Sequence, residues 1–341
     1  MFKLSREASP IFTSDHACFP TVAVFNPGIA RKDGKVYMIY RSVMDNASYT
    51  SHLGMAISED GKNFMCLSDV PVASAGQEHT KGAIEDPRIV EIDGVFYITY
   101  VAVPQNVLID GAVPGKRDVP LITSGGLLVT KDFQSFEDWG VITPLNADDK
   151  DAVLFPKKIT GKFAMLHRPF FWSQKGVEAT EFASFPVELP REKEVLPKKP
   201  TAWLSYSDDL FHWTDHVIMH DLMEESDDKI GPGLPPIHTD RGWLLIYHHV
   251  LSTPEGNIYS AKAALLDLVD PSKVLSRLPY NILEPEMPYE KEGFVKNVVF
   301  PTGGFIDDDT LRIYYGAGDT SICLASGSIT ELFAEFDIYR L

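Results

Sequence analysis

A short pattern recurs five times along the 341-residue chain, and it limits the folds open to it more than any other feature. In four copies a glycine opens a strand-like apolar run: Gly34 to Arg41, Gly94 to Val101, Gly161 to Arg168 and Gly242 to His248. A fifth run, Leu311 to Gly316, follows the turn-like Asp307-Asp308-Asp309-Thr310. Upstream of each lies a segment with proline: Phe25-Asn26-Pro27, Glu85-Asp86-Pro87, Leu154-Phe155-Pro156, Leu234-Pro235-Pro236 and Phe300-Pro301. Downstream comes a small-residue strand such as Leu53 to Ser58 or Ala261 to Leu266. The residues are β-branched and aromatic, turn clusters separate them and helical periodicity is scarce, so the runs read as strands. A unit that repeats roughly every 60 to 80 residues, with about four strands in each, cannot bury its apolar faces alone.

The expected fold is therefore all-β, a five-bladed β-propeller forming one catalytic domain over 1–341, with longer connections than the ~40 to 45 residues of WD40 blades. Outer strands are expected at Pro71-Val72-Ala73, Val141 to Pro144, Val217 to Met219 and Asn281 to Pro285. Pro10-Ile11-Phe12-Thr13 resembles them, which predicts that the N-terminal strand completes the last blade and closes the ring. Two insertions interrupt the repeat, at about 104–120 and 172–200. Loops of that length are functional lids, contact arms or disordered segments, so a homo-oligomer formed through them stays open.

Composition narrows the function. With 31 Lys and Arg against 48 Asp and Glu, the net charge is −17, which argues against a nucleic-acid partner. No run approaches a membrane span, and the first residues lack the apolar core of a signal peptide, so the expected location is cytoplasmic with no membrane partner. Cys18, Cys66 and Cys323 are few and show no C-x-x-C spacing, so neither disulfides nor structural zinc are expected. No metal site is expected, since the Asp307–Asp309 run lacks the spacing of a calcium loop.

Aligning the repeats converts scattered polar residues into a register. The strand-ending residue is Arg41, Val101, Arg168, His248 and Gly316 in turn, and such positions converge on the central channel. Lys150 and Lys229 lead into channel-proximal strands. A few buried cations outweigh distant surface carboxylates, which salt screens beyond ~8 Å, so an anionic substrate remains compatible with the overall charge. Each arginine has a plainer reading, an ion pair holding blades together, and each lysine could be a solvated loop residue.

The residue before the proline gives a second register: Asn26, Asp86, Phe155, Leu234 or Pro235, and Phe300. Asp86 is the acid among them, a candidate general acid or a cap on a strand end. Phe155 and Phe300 are candidate stacking walls for a sugar ring, with core packing as the alternative. Asp319, just beyond the fifth strand, can accept sugar hydroxyls. Glycoside hydrolysis normally takes two carboxylates across the scissile bond. One acid facing several cations points instead to phosphate as nucleophile.

Taken together, Val24-Phe25-Asn26-Pro27-Gly28, Glu85-Asp86-Pro87-Arg88, Lys150 to Pro156, Met165-Leu166-His167-Arg168-Pro169, Lys229-Ile230-Gly231, Gly242 to His248 and Tyr314 to Asp319 resemble the β-mannoside phosphorylases of glycoside hydrolase family 130. The resemblance runs from about Pro10 to about Ala325. It implies a five-bladed propeller that carries out inverting phosphorolysis of β-mannosides to α-mannose 1-phosphate, with no cofactor and with inorganic phosphate as co-substrate. It implies Asp86 as the catalytic acid, acting through the mannose 3-hydroxyl, and Lys150, Arg168, Lys229 and His248 as phosphate ligands. Asn26, Arg41, Glu85, Arg88 and Asp319 match the mannose pocket. His249 departs from the family, which usually has glycine there, as do Pro232-Gly233-Leu234 and the 172–200 insertion. Linkage and acceptor sugar stay open. The alternatives are an inverting β-mannosidase of the same family, with Glu85, Asp151 or Asp319 as the water-activating carboxylate, and a non-catalytic glycan-binding propeller.

Overall fold

The computed structural model describes residues 1–46, 49–104, 123–143, 148–169 and 199–341. Nearly all of both insertions therefore lies outside the described residues. The strands assemble into five antiparallel sheets, the blades of a propeller. Their innermost strands are Ala23–Lys32, Ala83–Ile92, Asp149–Leu154, Lys229–Pro232 and Val299–Asp307. In blades 1 to 4 the chain steps outward in sequence order, whereas blade 5 runs Val299–Asp307, Thr310–Ala317, Ser321–Ser328 and then Ser5–Arg6 from the N-terminus. The ring is thus closed by the first strand, pairing Ser5 with Ser326 and Arg6 with Ala325. Closure removes the free edge that an open sheet would expose.

The outermost strands fall earlier than the sequence suggests, at Met65–Cys66, Glu137–Val141, Trp213–Ile218 and Val274–Arg277. The expected segments have a defined place of their own. After the outer strand the chain returns to the third strand, with Val72 N–H donating to Leu53 O, Ile142 to Gly125 O, Met219 to Ala202 O and Ile282 to Ala261 O. Ile11 and Phe12 repeat this contact at Ile322 in blade 5. Sequence similarity had found equivalent segments and misplaced them by one step of the ladder.

Two further expectations are corrected. Cys18 and Cys66 are joined as a disulfide, 48 residues apart in sequence with Cα atoms 5.9 Å apart. Their spacing carries no sign of this, because the bond joins the arm before blade 1 to that blade's outer strand, 48 residues on. The chain also ends in a helix, Ile329–Ile338, whose Ser328 side chain accepts from Glu331 N–H. Ile329, Leu332 and Phe336 form its buried stripe against blades 4 and 5. That spacing, with Ser-x-x-Glu at its start, is a helix signal that the strand repeats concealed.

Inter-blade cores are apolar. Phe155 lies in the one between blades 3 and 4, packed edge-on against Trp243 at 5.1 Å. No helix of the described residues is long and apolar enough to cross a membrane.

Candidate active site

One backbone irregularity organises the site. The innermost strands of blades 1, 2 and 3 each carry a bulge between Phe25 and Gly28, Glu85 and Arg88, and Lys150 and Val153. Inside each bulge one residue has positive φ: Asn26 at 50°, Asp86 at 52° and Asp151 at 59°. Asn and Asp tolerate this left-handed conformation best among residues with a side chain. A bulge re-aims a side chain that regular pleating would turn elsewhere. Three polar groups so gather at one mouth of the channel. Blade 3 contributes Asp151 to this register, and Phe155, which the proline spacing had placed there, packs in the core away from the site.

The second register falls as the repeats predict. Arg41 sits opposite Phe25, Val101 opposite Glu85, Arg168 opposite Lys150, His248 opposite Gly231 and Gly316 opposite Phe300. The fifth position is glycine for lack of space, since a Cβ on Gly316 would collide with Asn26 Oδ1.

The geometry divides the residues into two groups. Around Asp86, Oδ1 accepts from Asn26 Nδ2 at 2.8 Å and from Arg41 Nη1 at 3.2 Å. Arg41 also pairs with Glu85 at 2.8 Å, and Lys150 approaches the other Glu85 oxygen at 3.5 Å. Ser51, absent from the sequence reading, accepts from Arg41 Nε at 3.1 Å and donates to Ile84 O. The guanidinium lies over the rings of Phe25 and Tyr49 at 4.8 and 5.7 Å. Burial works against its charge, but Glu85 and Asp86 outweigh this and raise its pKa. Asp319 completes the group, its carboxyl pushed up to about 7 by burial, with Asp86 and Glu85 adding to the rise and Arg41 opposing it.

The second group surrounds Asp151, which is 1% exposed. Arg168 reaches its Oδ2 at 2.7 Å, Arg88 its Oδ1 at 3.1 Å, and His248 Nε2 stands 3.7 Å from Oδ2. Burial favours the neutral acid, yet Arg168, His248 and Arg88 overcome it and hold Asp151 well below the usual carboxylate range. Gly231 makes this approach possible, because a Cβ there would lie 2.6 Å from Asp151 Oδ2 and 2.7 Å from His248 Cε1. Lys229 lies beside Tyr259, Nζ to hydroxyl 3.3 Å, and burial and Arg168 push its ammonium down to about 7. His248 is fully buried, and among the described residues neither ring nitrogen has a hydrogen-bond partner. Burial depresses its pKa far below normal, against the pull of Asp151. Phe300 packs against its ring at 4.5 Å, so this phenylalanine does reach the site.

Arg88 alters its expected role. It is 1% exposed and spent on protein groups, donating to Gly233 O at 2.8 Å, Asp86 O at 3.0 Å and Asp151. It is a strut tying blades 2, 3 and 4 together. Among the described residues no group of three or more His, Cys, Asp and Glu is arranged to hold a metal ion.

The chain has known relatives. Residues 6–337 match the glycoside hydrolase family 130 model, described as beta-1,4-mannooligosaccharide phosphorylase. A 1,2-beta-oligomannan phosphorylase of Thermoanaerobacter sp. (strain X514) is 37% identical over 310 residues, covering 89% of each chain. A beta-1,2-mannobiose phosphorylase of Listeria innocua is 32% identical over 290 residues, covering 84% of this chain and 69% of the relative. A solved beta-1,2-mannobiose phosphorylase from Listeria innocua, in complex with beta-1,2-mannobiose, superposes with a TM-score of 0.76 at 26% identity, over 98% of this chain and 99% of that one. With its bulged acid, its cations and nearly its whole length accounted for, the chain belongs to glycoside hydrolase family 130.

Proposed function

We propose that this protein is an inverting β-mannoside phosphorylase. The observation that carries this reading is the convergence of Lys150, Arg168, Lys229 and His248 around Asp151, with Lys150 also reaching Glu85. Burial, with the like charge of Arg168 adding to it, weakens the Lys229 ammonium, and among the described residues the buried His248 nitrogens make no hydrogen bond, Asp151 Oδ2 standing 3.7 Å from Nε2. A phosphate oxyanion relieves both conditions, since charge-assisted hydrogen bonds to it are among the strongest available.

In the reaction a phosphate oxygen forms a bond to the anomeric carbon of a β-linked mannose while the bond from that carbon to the aglycone oxygen breaks. The leaving oxygen keeps the electron pair and takes a proton from Asp86, by way of the mannose 3-hydroxyl as the family resemblance implies. Phosphate gives up its own proton, which restores the acid, and the product is α-mannose 1-phosphate. Asn26 and Arg41 both bind Asp86 Oδ1, which leaves Oδ2 to carry the proton. Asn26, Arg41, Glu85 and Asp319 surround the mannose, and Phe300 walls the phosphate side. Hydrolysis would instead need a carboxylate free to activate water. Glu85 is engaged by Arg41 and Lys150, and Asp151 by Arg88 and Arg168, so of the three candidates only Asp319 remains for that task.

The linkage this reading favours is β-1,2, supported by the names of the two relatives at 37% and 32% identity. Incubation with β-1,2- and β-1,4-mannobiose, with and without phosphate, tests both levels. The expected result is phosphate-dependent release of α-mannose 1-phosphate, faster from the β-1,2 isomer. Mannose release that ignores phosphate overturns the phosphorylase reading, and preference for β-1,4 overturns only the linkage.

A further inference from the structure

Blades 3 and 4 supply the four groups assigned to phosphate, Lys150, Arg168, Lys229 and His248, and each blade is cross-tied by a buried polar chain at their level. In blade 3, Asp149 immediately precedes Lys150 and His167 immediately precedes Arg168. Lys150 and Arg168 face each other across the two strands, and alternation sends their neighbours to the opposite face of the sheet. There His167 Nδ1 meets Asp149 Oδ2 at 2.6 Å, His167 Nε2 meets Ser205 Oγ at 2.7 Å, and Ser205 Oγ meets His216 Nδ1 at 2.6 Å. The chain takes one residue from each strand of the blade, innermost to outermost.

Blade 4 repeats the device with other residues. Asp227 stands two positions before Lys229, and His249 immediately follows His248. His249 Nδ1 meets Asp227 Oδ1 at 2.8 Å, and the same oxygen lies 3.3 Å from Lys262 Nζ on the third strand. Lys262 continues to Glu224 at 2.8 Å, and Glu224 to Arg277 on the outermost strand at 3.0 Å. Asp227 is fully buried and Lys262 nearly so. In blade 1 the neighbours of Arg41 are Tyr40 and Ser42, and no such couple flanks it.

We infer that the pairs Asp149–His167 and Asp227–His249 are positioning pairs for phosphate, fixing the backbone from which Lys150, Arg168, Lys229 and His248 reach the anion. The physical ground is preorganisation. Lysine and arginine side chains lose much rotamer freedom when ordered, and like charges held close repel, so a cation cluster keeps its shape only if its base is rigid. A buried hydrogen-bonded network provides that rigidity, here through Asp149 Oδ2 and His249 Nδ1, while Asp149 Oδ1 and His249 Nε2 make no hydrogen bond among the described residues. The inference rests on the phosphorylase reading of the same site.

The test compares His167→Ala and His249→Ala with His167→Asn and His249→Asn, whose side-chain amide can replace the Nδ1 donor to the aspartate. With β-1,2-mannobiose as substrate, each alanine variant is expected to raise the KM for phosphate about tenfold, the size of outer-shell effects at metal sites, while the KM for the mannoside stays within about twofold. The asparagine variants restore most of the loss. Where an alanine variant does not fold, Ser205→Ala and Arg277→Gln sever the same chains farther out and should move the phosphate KM in the same direction. Equal rises in both KM values, or a lowered melting temperature with unchanged phosphate KM, make the pairs structural and overturn the inference. Lys229→Met is measured alongside: if it raises the phosphate KM while the histidine variants do not, the phosphorylase reading stands and the positioning role falls. Wild-type turnover without phosphate removes both.

Discussion

At one mouth of the central channel the innermost strands present Asn26, Asp86, Asp151 and Lys229, while a few residues farther along Ile29, Ile89 and Phe305, with Ile237 of the short strand Ile237–Thr239, line a cavity of about 540 Å³ at the other. Both mouths come from the same blades, so blade number and strand order do not explain the contrast. The bulges do. Upstream, the positive φ of Asn26, Asp86 and Asp151 turns polar side chains toward the channel, where they find charged partners. Downstream, regular pairing resumes, as in Gly28 with Ile39 and Arg88 with Thr99, and ordinary alternation delivers apolar residues. The C-terminal helix then covers part of that mouth with Ile329 and Phe333. In three blades one short departure from regular geometry therefore separates a reactive mouth from a mostly apolar one.

If that division is right, a substitution at the polar mouth should remove activity and spare the fold. Asp86→Asn keeps the shape and the contacts with Asn26 and Arg41 but removes the transferable proton. General acid catalysis contributes roughly a hundredfold to ten-thousandfold, so kcat for phosphorolysis is expected to fall about a thousandfold. The melting temperature should stay close to wild type. A residual rate above a tenth of wild type would mean that another group delivers the proton and that the bulge in blade 2 serves architecture alone.

The opposite mouth should behave in the reverse sense. Phe333 is half-buried on the C-terminal helix, against the cavity. Truncating a fully buried phenylalanine costs about 3 to 5 kcal/mol, so Phe333→Ala should cost about 2 kcal/mol, read from the denaturation midpoint. Both KM values and kcat should be unchanged. Loss of activity out of proportion to stability would show that the two mouths are coupled along the channel.

What the sequence displayed of this contrast follows from its physical origin. The repeats exposed the five blades, the ring closure and the strand-ending register, because periodic burial leaves a periodic pattern. Arg41, Arg168 and His248 were legible for that reason. Asp151 was weighed only as a possible base, because its bulge has no proline, unlike Asn26-Pro27 and Asp86-Pro87. Phe155 filled the place instead, since its proline mimics the signal at a different point of the strand. Arg88 looked like a substrate contact from its neighbours, and only the approach of Gly233 and Asp151 from two other blades reveals a strut. The Cys18–Cys66 bond and the two cross-blade chains are contacts between strands, and composition is blind to them.

The smallest expected effect concerns acidity, and it distinguishes the mouths through stability rather than turnover. The Asp319 carboxyl is pushed up from 3.8 to about 7, by burial first and then by Asp86 and Glu85, against Arg41 and Lys150. Between those two values the folded chain keeps a proton that the unfolded chain releases. Stability linked to this group is therefore fully present below about pH 3.8 and is lost as pH rises toward about 7. Asp319→Asn removes the titration while keeping a side chain of the same shape, so the midpoint of urea unfolding should depend less on pH across that window. Lys229 does not confuse the result, since its depressed pKa acts between about 7 and 10.5 and there makes stability rise with pH. Phe333→Ala should lower the midpoint at every pH and leave the slope alone. An Asp319→Asn slope identical to wild type would place that carboxylate outside the charge network of the polar mouth and leave Glu85 and Asp86 as its acids.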